Sequence, residues 1–184
     1  MRTPTLALPA CALLVAACAT LPPPAPAAIE ASDAAFDVSG RLSARRGTEG
    51  AAAHFAWEHA PGRDAIALAT PMGTTLARLE RDADGASIER ADGTVERAPD
   101  AATLAGRALG FQLPVESLAW WIRAAPHPGS AHAIERDAAG RVLVLRQDGW
   151  SVAYAYDDRA SRPVRLLATT YPDLEVRLVI DAWR

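Results

Sequence analysis

The sequence contains no lysine, and all 19 of its positively charged residues are arginine, against 22 acidic residues. The formal net charge is −3. Because nucleic-acid binding depends on basic patches that contact phosphates, this charge balance argues against a nucleic-acid partner. Cysteine is almost absent as well, since only Cys11 and Cys18 occur. A chain with so few thiols is expected to have neither a disulfide framework nor a cysteine metal site.

Patterns typical of catalytic sites are also missing. The four histidines, His54, His59, His127 and His132, are scattered and show no His-Glu-x-x-His spacing. His54 and His59 are an odd number of residues apart, so they fall on opposite faces of a strand. There is no Gly-x-Ser-x-Gly elbow and no glycine-rich phosphate loop followed by lysine. We therefore predict no catalytic residue, no metal and no cofactor.

The chain has no apolar run of the roughly 20 residues that a membrane-spanning helix needs. Its N-terminus instead resembles a secretory signal, with Arg2 as the only charge in the first 29 residues and an apolar stretch from Leu6 onward. Val15-Ala16-Ala17 then leads to Cys18, and a cysteine in this place resembles the lipobox of bacterial lipoproteins. We predict a signal peptide over residues 1–17 and lipid attachment at Cys18. The alternative is an ordinary signal peptide with an incidental cysteine.

Cleavage before Cys18 would leave 167 residues with a net side-chain charge of −4, a length that suits one domain. Residues 18–35 contain four prolines close together and predict an extended tether after the lipidated cysteine. We predict that residues 36–184 form the single folded domain.

From Phe36 onward apolar and polar residues alternate, which is typical of β-strands. Asp84-Gly85 and Asp92-Gly93 predict hairpin turns in this region. The alternation returns after residue 130 and is clearest over Leu174–Trp183. We predict ten or eleven antiparallel strands.

A helical pattern interrupts the strands near residues 100–125. Asp100 can cap a first helix that ends at Gly110, and Pro114 can open a second. Trp120 and Trp121 are neighbours on that second helix, so we expect one of them to be exposed. A curled antiparallel sheet must cover its apolar concave face, and this helical pair is the candidate cover. The predicted result is an elongated apolar pocket that suits acyl chains.

Short pieces behind the lipobox occur in an order that resembles the LolB family of outer-membrane lipoprotein receptors. They include Gly40-Arg41-Leu42, Phe55-Ala56-Trp57, Leu68–Thr75, Gln147-Asp148-Gly149-Trp150 and Leu178–Trp183. The resemblance implies a mainly β fold with an α lid, namely an incomplete, half-open antiparallel β-barrel of about eleven strands covered by helices, as in LolA and LolB.

The resemblance also implies a function. A LolB-like protein accepts lipoproteins from the periplasmic carrier LolA in an apolar cavity and inserts them into the outer membrane without nucleotide. The implied partners are therefore LolA, acylated lipoproteins and outer-membrane lipid, and the protein is expected to be a monomer anchored through Cys18 and facing the periplasm. Ala19 follows the cysteine in place of an aspartate that would signal inner-membrane retention in enteric bacteria. The alternative function is a lipid-anchored hydrophobic-ligand-binding or envelope scaffold protein.

One family site maps onto the segment Pro71-Met72-Gly73. LolB proteins carry an exposed apolar side chain, usually leucine, on a loop after the third strand, in an Asn-Pro-Leu-Gly context. Here Thr70 stands for the asparagine and Met72 for the leucine. We predict that this loop inserts into the membrane; the alternative is that Met72 folds back into the core.

The cavity lining is predicted from alternation alone, and ordinary core packing is an equal alternative at each position. Alternation puts Leu143 and Leu145 on one strand face and Val142 and Val144 on the other, without showing which face meets the cavity. The candidates are Trp57, Leu68, Leu76, Trp121, Ile122, Leu143, Leu145, Trp150, Leu166, Leu178 and Ile180.

Overall fold

The computed structural model describes residues 33–109, 113–158, 160–170 and 173–184. The signal peptide, Cys18 and the tether up to residue 32 lie outside the described residues, as does Gly110, and what we predict for them stays a prediction. The first described residue, Asp33, belongs to the segment predicted as tether, yet it contacts the folded domain.

Eleven strands form one antiparallel sheet. They are β1 (Phe36–Arg46), β2 (Glu49–Ala60), β3 (Arg63–Ala69), β4 (Thr75–Asp82), β5 (Gly85–Arg90), β6 (Val95–Ala98), β7 (His132–Arg136), β8 (Val142–Gln147), β9 (Trp150–Ala155), β10 (Arg165–Thr170) and β11 (Leu174–Trp183). The spatial order is β6-β5-β4-β3-β2-β1-β11-β10-β9-β8-β7, so β6 and β7 are the two edges of an unclosed sheet. The predicted half-open barrel of about eleven strands is confirmed.

The first and last strands meet in the middle of the sheet, where Leu42 pairs with Leu178 and Arg46 with Leu174. The register shifts between Ser39 and Gly40. A Cβ atom at Gly40 would collide with the carbonyl oxygen of Val179, so only glycine permits this close approach of β1 and β11.

Successive turns of the antiparallel strands lie at alternate ends of the sheet. The β1–β2 turn at 47–48, the β3–β4 loop at 70–74 and the β5–β6 turn at 91–94 share one end. We name this the mouth end. The β2–β3 turn at 61–62 and the β4–β5 turn at 83–84 lie at the other end, which we name the floor end.

Two short helices cover the concave face, α1 (Ala101–Leu109) and α2 (Val115–Trp121). Asp100 caps α1 as predicted, because the backbone N–H of Thr103 donates to its Oδ1 at 2.7 Å. The same backbone hydrogen bond holds the pKa of Asp100 below its ordinary value. Pro114 immediately precedes α2, and the Leu118 N–H donates to its carbonyl at 2.9 Å.

The prediction that Trp120 or Trp121 is exposed is wrong, since both are buried. Trp121 packs on Trp150 of β9, with ring centroids 5.9 Å apart. Trp120 points elsewhere and is covered by the guanidinium of Arg123 at 4.9 Å and by the ring of His127 at 6.1 Å. A helix this short is covered on one side by the sheet and on another by the chain that follows it, so neither face of the Trp pair meets solvent.

Candidate functional site: an apolar pocket

An apolar cavity of about 310 Å³ lies between the concave face of the sheet and the helices. That volume lies near the lower end of the roughly 300–1,000 Å³ typical of ligand pockets. Among the described residues that line it, Arg90 is the only charged one. The lining residues are Leu42, Ala44, Ala51, Ala52, Ala53, Phe55, Trp57, Ile66, Leu68, Leu76, Ala77, Leu79, Ile88, Arg90, Ala105, Leu113, Leu118, Val176 and Leu178.

The size of the side chains changes along the pocket. At the floor end the inward positions of β2 carry Phe55 and Trp57, whereas its mouth-end positions are the alanines 51–53. Ala44 of β1 pairs with Ala51, so the mouth-end part of both strands carries small side chains. Small side chains leave space where large ones would fill it, so the pocket is open at the mouth end and closed by aromatic rings at the other.

Four of the eleven predicted cavity residues line this pocket, namely Trp57, Leu68, Leu76 and Leu178. Six others are buried in the core away from it. These six are Trp121, Ile122, Leu145, Trp150, Leu166 and Ile180. The structure therefore brings together only the candidates on β2–β4 and β11.

Leu143 lies on the outer face, and the expectation that it shares a face with Leu145 is wrong. Leu143 is 41% exposed, whereas Val142 and Leu145 are both buried. The pairing of β7 with β8 skips Leu143, because Glu135 pairs with Val144 and Arg136 with Val142. Leu143 is thus the extra residue of a β-bulge, which breaks the alternation on which the prediction depended.

Met72 projects from the mouth end with 92% of its surface exposed. The loop around it is a tight turn, since the Gly73 N–H donates to the Thr70 carbonyl at 2.9 Å and the Thr70 N–H to the Thr74 carbonyl at 2.8 Å. Gly73 has φ of +85°, a conformation that suits glycine. The structure does not place Met72 in the core, and its entry into a membrane stays a prediction.

The Met72 loop and the pocket share the mouth end. Leu68 precedes the loop and Leu76 follows it, and both residues line the pocket. Met72, the most exposed large apolar side chain among the described residues, is therefore within a few residues of two that line the pocket.

A buried polar cluster at the floor end was missed by sequence reasoning. Asp64 is fully buried, and its Oδ1 accepts from the indole N–H of Trp57 at 2.8 Å. Its Oδ2 accepts from Nε of Arg81 at 2.6 Å, and Nδ1 of His59 lies 2.7 Å from its Oδ1. The sequence did contain a signal for this cluster, namely polar residues at inward positions of the strands. His59, Asp64 and Arg81 are each two residues from an inward apolar one on the same strand. Those apolar residues are Trp57, Ile66 and Leu79.

Within the described ranges, no group of histidine, cysteine and acidic residues could hold a metal ion. No helix in that part of the chain is long and apolar enough to cross a membrane.

These features define a class of protein: a half-open β-barrel with a helical lid over an apolar pocket. The fold is similar to that of a LolA superfamily protein from Nitrosomonas europaea, with a TM-score of 0.51 and 9% identity over 83% of this chain and 86% of that one. It is also similar to a DUF1329 family protein from Desulfovibrio piger, with a TM-score of 0.53 and 8% identity over 84% and 86% of the two chains.

The family can be stated more narrowly from the sequence. The profile of the family described as "Outer membrane lipoprotein LolB" matches residues 34–183. An outer-membrane lipoprotein LolB of Thiobacillus denitrificans is 40% identical over 168 residues, which cover 91% of this chain and 90% of that protein. The protein of the same name from Chromobacterium violaceum is 38% identical, with 94% of each chain covered. This chain belongs to the LolB family.

Proposed function

We propose that this protein is an outer-membrane lipoprotein receptor. It accepts acylated lipoproteins from the periplasmic carrier LolA in the apolar pocket and inserts them into the outer membrane. The observation that carries the proposal is the opening of the pocket at the end of the sheet where Met72 is exposed. Membership of the LolB family supports the same assignment.

The cost of exposing an acyl chain to water explains why such a receptor must hand its cargo over directly. Each buried methylene contributes about 0.8 kcal/mol, so a chain of about 14 methylenes would cost about 11 kcal/mol to release into water. Cargo therefore moves from one apolar cavity to another and then into lipid. No bond is made or broken in these steps, and no nucleotide is consumed. Transfer is driven by affinity that rises from the carrier to this pocket and from the pocket to the bilayer.

The open mouth suits a pocket that binds acyl chains more tightly than the carrier does and less tightly than the bilayer does. Leu76 lines the pocket but is 40% exposed, and alanines line the part of β1 and β2 next to the β1–β2 turn. An acyl chain held here keeps part of its length close to solvent. We propose that this incomplete burial leaves the chain less stable in the pocket than in a bilayer.

Met72 and Cys18 would contact the membrane in different ways. Burying one methionine side chain in lipid is worth roughly 1.5–3 kcal/mol, which orients the mouth toward the bilayer without anchoring the protein. A lipid attached to Cys18 supplies the anchor and keeps the domain on the periplasmic face of the outer membrane. The domain is expected to act as a monomer.

The test uses the mature chain from residue 19, which lacks the lipid, together with purified LolA loaded with a labelled lipoprotein. Co-elution of the label with this domain is the expected result, and added liposomes should then take up the label. If the label stays on a carrier that is competent to release it to another LolB protein, the receptor function is wrong. A scaffold role would then be the better account.

A further inference from the structure

The buried cluster at the floor end connects three parts of the molecule. It contains Asp33 from the segment before β1, the inward residues His59, Asp64 and Arg81 of the sheet, and two residues of the lid region, Glu116 and Arg123. We propose that Asp33, His59 and Asp64 are positioning residues that hold α2 over the pocket. Asp33, in the segment just before β1, is then part of the support of the lid.

Asp64 connects the cluster to the pocket wall. Its Oδ1 accepts the indole N–H of Trp57, a residue that lines the pocket, at 2.8 Å. Arg81 binds Oδ2 through Nε and Nη2, each at 2.6 Å. A carboxylate that accepts this many charged and neutral donors is held firmly, and it in turn fixes the indole ring at the closed end of the pocket.

His59 lies between Asp64 and Asp33 and contacts both carboxylates. Its Nδ1 lies 2.7 Å from Asp64 Oδ1 and its Nε2 lies 2.8 Å from Asp33 Oδ1. A neutral imidazole has one N–H donor and an ionised carboxylate has none, so the imidazolium form of His59 satisfies both bonds. The ring is stacked on Phe36 with centroids 4.7 Å apart, which fixes its plane between the two carboxylates.

Asp33 then reaches the end of α2. Its Oδ1 lies 3.7 Å from Nη2 of Arg123, just past the helix. Arg123 is fixed to α2, because its Nε donates to the carbonyl of Ala119 at 3.0 Å and its guanidinium lies over the ring of Trp120. Burial lowers the pKa of Arg123, and the Asp33 carboxylate opposes that shift. Asp33 therefore offsets part of the cost of burying this cation.

The start of α2 has a weaker contact with the same cluster. Nε of Arg81 lies 3.9 Å from Oε1 of Glu116 in the first turn of the helix. The carboxylates of Asp33, Asp64 and Glu116 thus face the guanidinium groups of Arg81 and Arg123 and the ring of His59. Both ends of α2 are tied to the cluster, and α2 supplies Leu118 to the pocket.

The experiment compares Asp33→Ala with Asp37→Ala in the mature protein. The two aspartates are matched in exposure, at 36% and 38% of the side chain, but Asp37 faces Arg184 and is outside the cluster. Hydrogen exchange of the amides in α2 and residues 122–125 should be about tenfold faster in Asp33→Ala, because the ion pair with Arg123 and the hydrogen bond with His59 are lost. Exchange in Asp37→Ala should match the wild type, and Asp33→Glu should restore part of the protection.

Two results would overturn the inference. One is unchanged exchange in α2 of Asp33→Ala. The other is an increase spread evenly over the sheet, which would indicate general destabilisation rather than positioning of the lid. Neither exchange measurement needs cargo, so they test the role of Asp33 independently of the receptor function.

A second measurement rests on the proposed function and uses a fluorescent 16-carbon fatty acid as probe. Asp33→Ala should bind it about three- to tenfold more weakly than Asp37→Ala, since a displaced lid removes apolar contacts. Equal affinity of the two variants would contradict the link between the cluster and the pocket. If the wild type itself fails to bind the probe, the receptor function fails, while the exchange result still decides whether Asp33 positions α2.

Discussion

The concave face of the sheet has two regions with similar apolar patterns and different outcomes. On β8–β10 the inward residues Leu145, Val152 and Leu166 are fully or almost fully buried beneath α2. On β3 and β4 the inward residues Ile66, Leu68 and Leu79 are only partly buried and line a cavity. One region is a core and the other is a pocket.

The difference comes from the helices rather than from the strands. Over the packed region α2 presents Trp121, whose ring lies against Trp150 and whose indole N–H donates to Gln147 at 2.9 Å. Over the pocket the described part of the lid contributes Ala105, Leu113 and Leu118. Among the described lid residues, a large aromatic side chain fills the space on one side, and small or aliphatic ones border the cavity on the other.

The largest expected effect is on the packed region. Leu145→Ala should lower the free energy of unfolding by about 2–5 kcal/mol, because it leaves a cavity in a core with little freedom to collapse. Urea unfolding of the variant measures this loss. A cost below about 1 kcal/mol would mean that this region is not packed as a core.

Met72→Glu should leave the unfolding free energy unchanged, because the side chain is exposed. Delivery of a bound lipoprotein into liposomes should fall about tenfold or more, since insertion of the apolar side chain is worth roughly 1.5–3 kcal/mol. Leu143→Glu is the control, because Leu143 is also exposed but lies toward the floor end. Equal delivery by the two variants would show that Met72 does not act by inserting into the membrane.

Leu68→Ala sharpens the comparison because it makes the same chemical change as Leu145→Ala on the other region. Its unfolding free energy should fall by only about 1 kcal/mol, because the side chain already borders open space. Affinity for a fluorescent 16-carbon fatty acid should fall about three- to tenfold, whereas Leu145→Ala should retain the wild-type affinity when measured in its folded form. If Leu145→Ala instead lost affinity and Leu68→Ala lost more stability, the pocket would lie on β8–β10 and the core on β2–β4.

Asp100→Ala should give the smallest effect, confined to α1. The lowered pKa of Asp100 arises mainly from the hydrogen bond of the Thr103 backbone N–H, so the cap favours the ionised form. Its contribution is present above the unfolded value of 3.8 and is lost as the pH falls through the lowered folded value. Hydrogen exchange of α1 at neutral pH should be faster in the variant, and the difference should shrink in acid.

Local patterns predicted the elements of this fold well. Alternation predicts β11 over Leu174–Trp183, and Asp100 and Pro114 mark the starts of the two helices, because these signals depend only on neighbouring residues. The Pro-x-Gly sequence around Met72 favours a protruding turn for the same reason.

Features that depend on distant residues were not predictable in the same way. The bulge at Leu143 is set by pairing with β7, and it moves that side chain to the outer face. Trp120 is buried because Arg123 and His127 fold over it. The polar cluster forms only when three strands, the lid and the segment before β1 meet. For the same reason, alternation identified inward residues without distinguishing the core from the pocket.

The central claim is that acyl chains occupy the pocket and not the packed region on β8–β10. It is tested most directly by nuclear Overhauser contacts between the methyl groups of leucine and isoleucine and a ¹³C-labelled 16-carbon fatty acid bound to the mature domain. We predict contacts from the acyl chain to Leu42, Leu68 and Leu79, and none to Leu145 or Leu166. Contacts to Leu145 and Leu166 without contacts to Leu68 would contradict the assignment of the pocket.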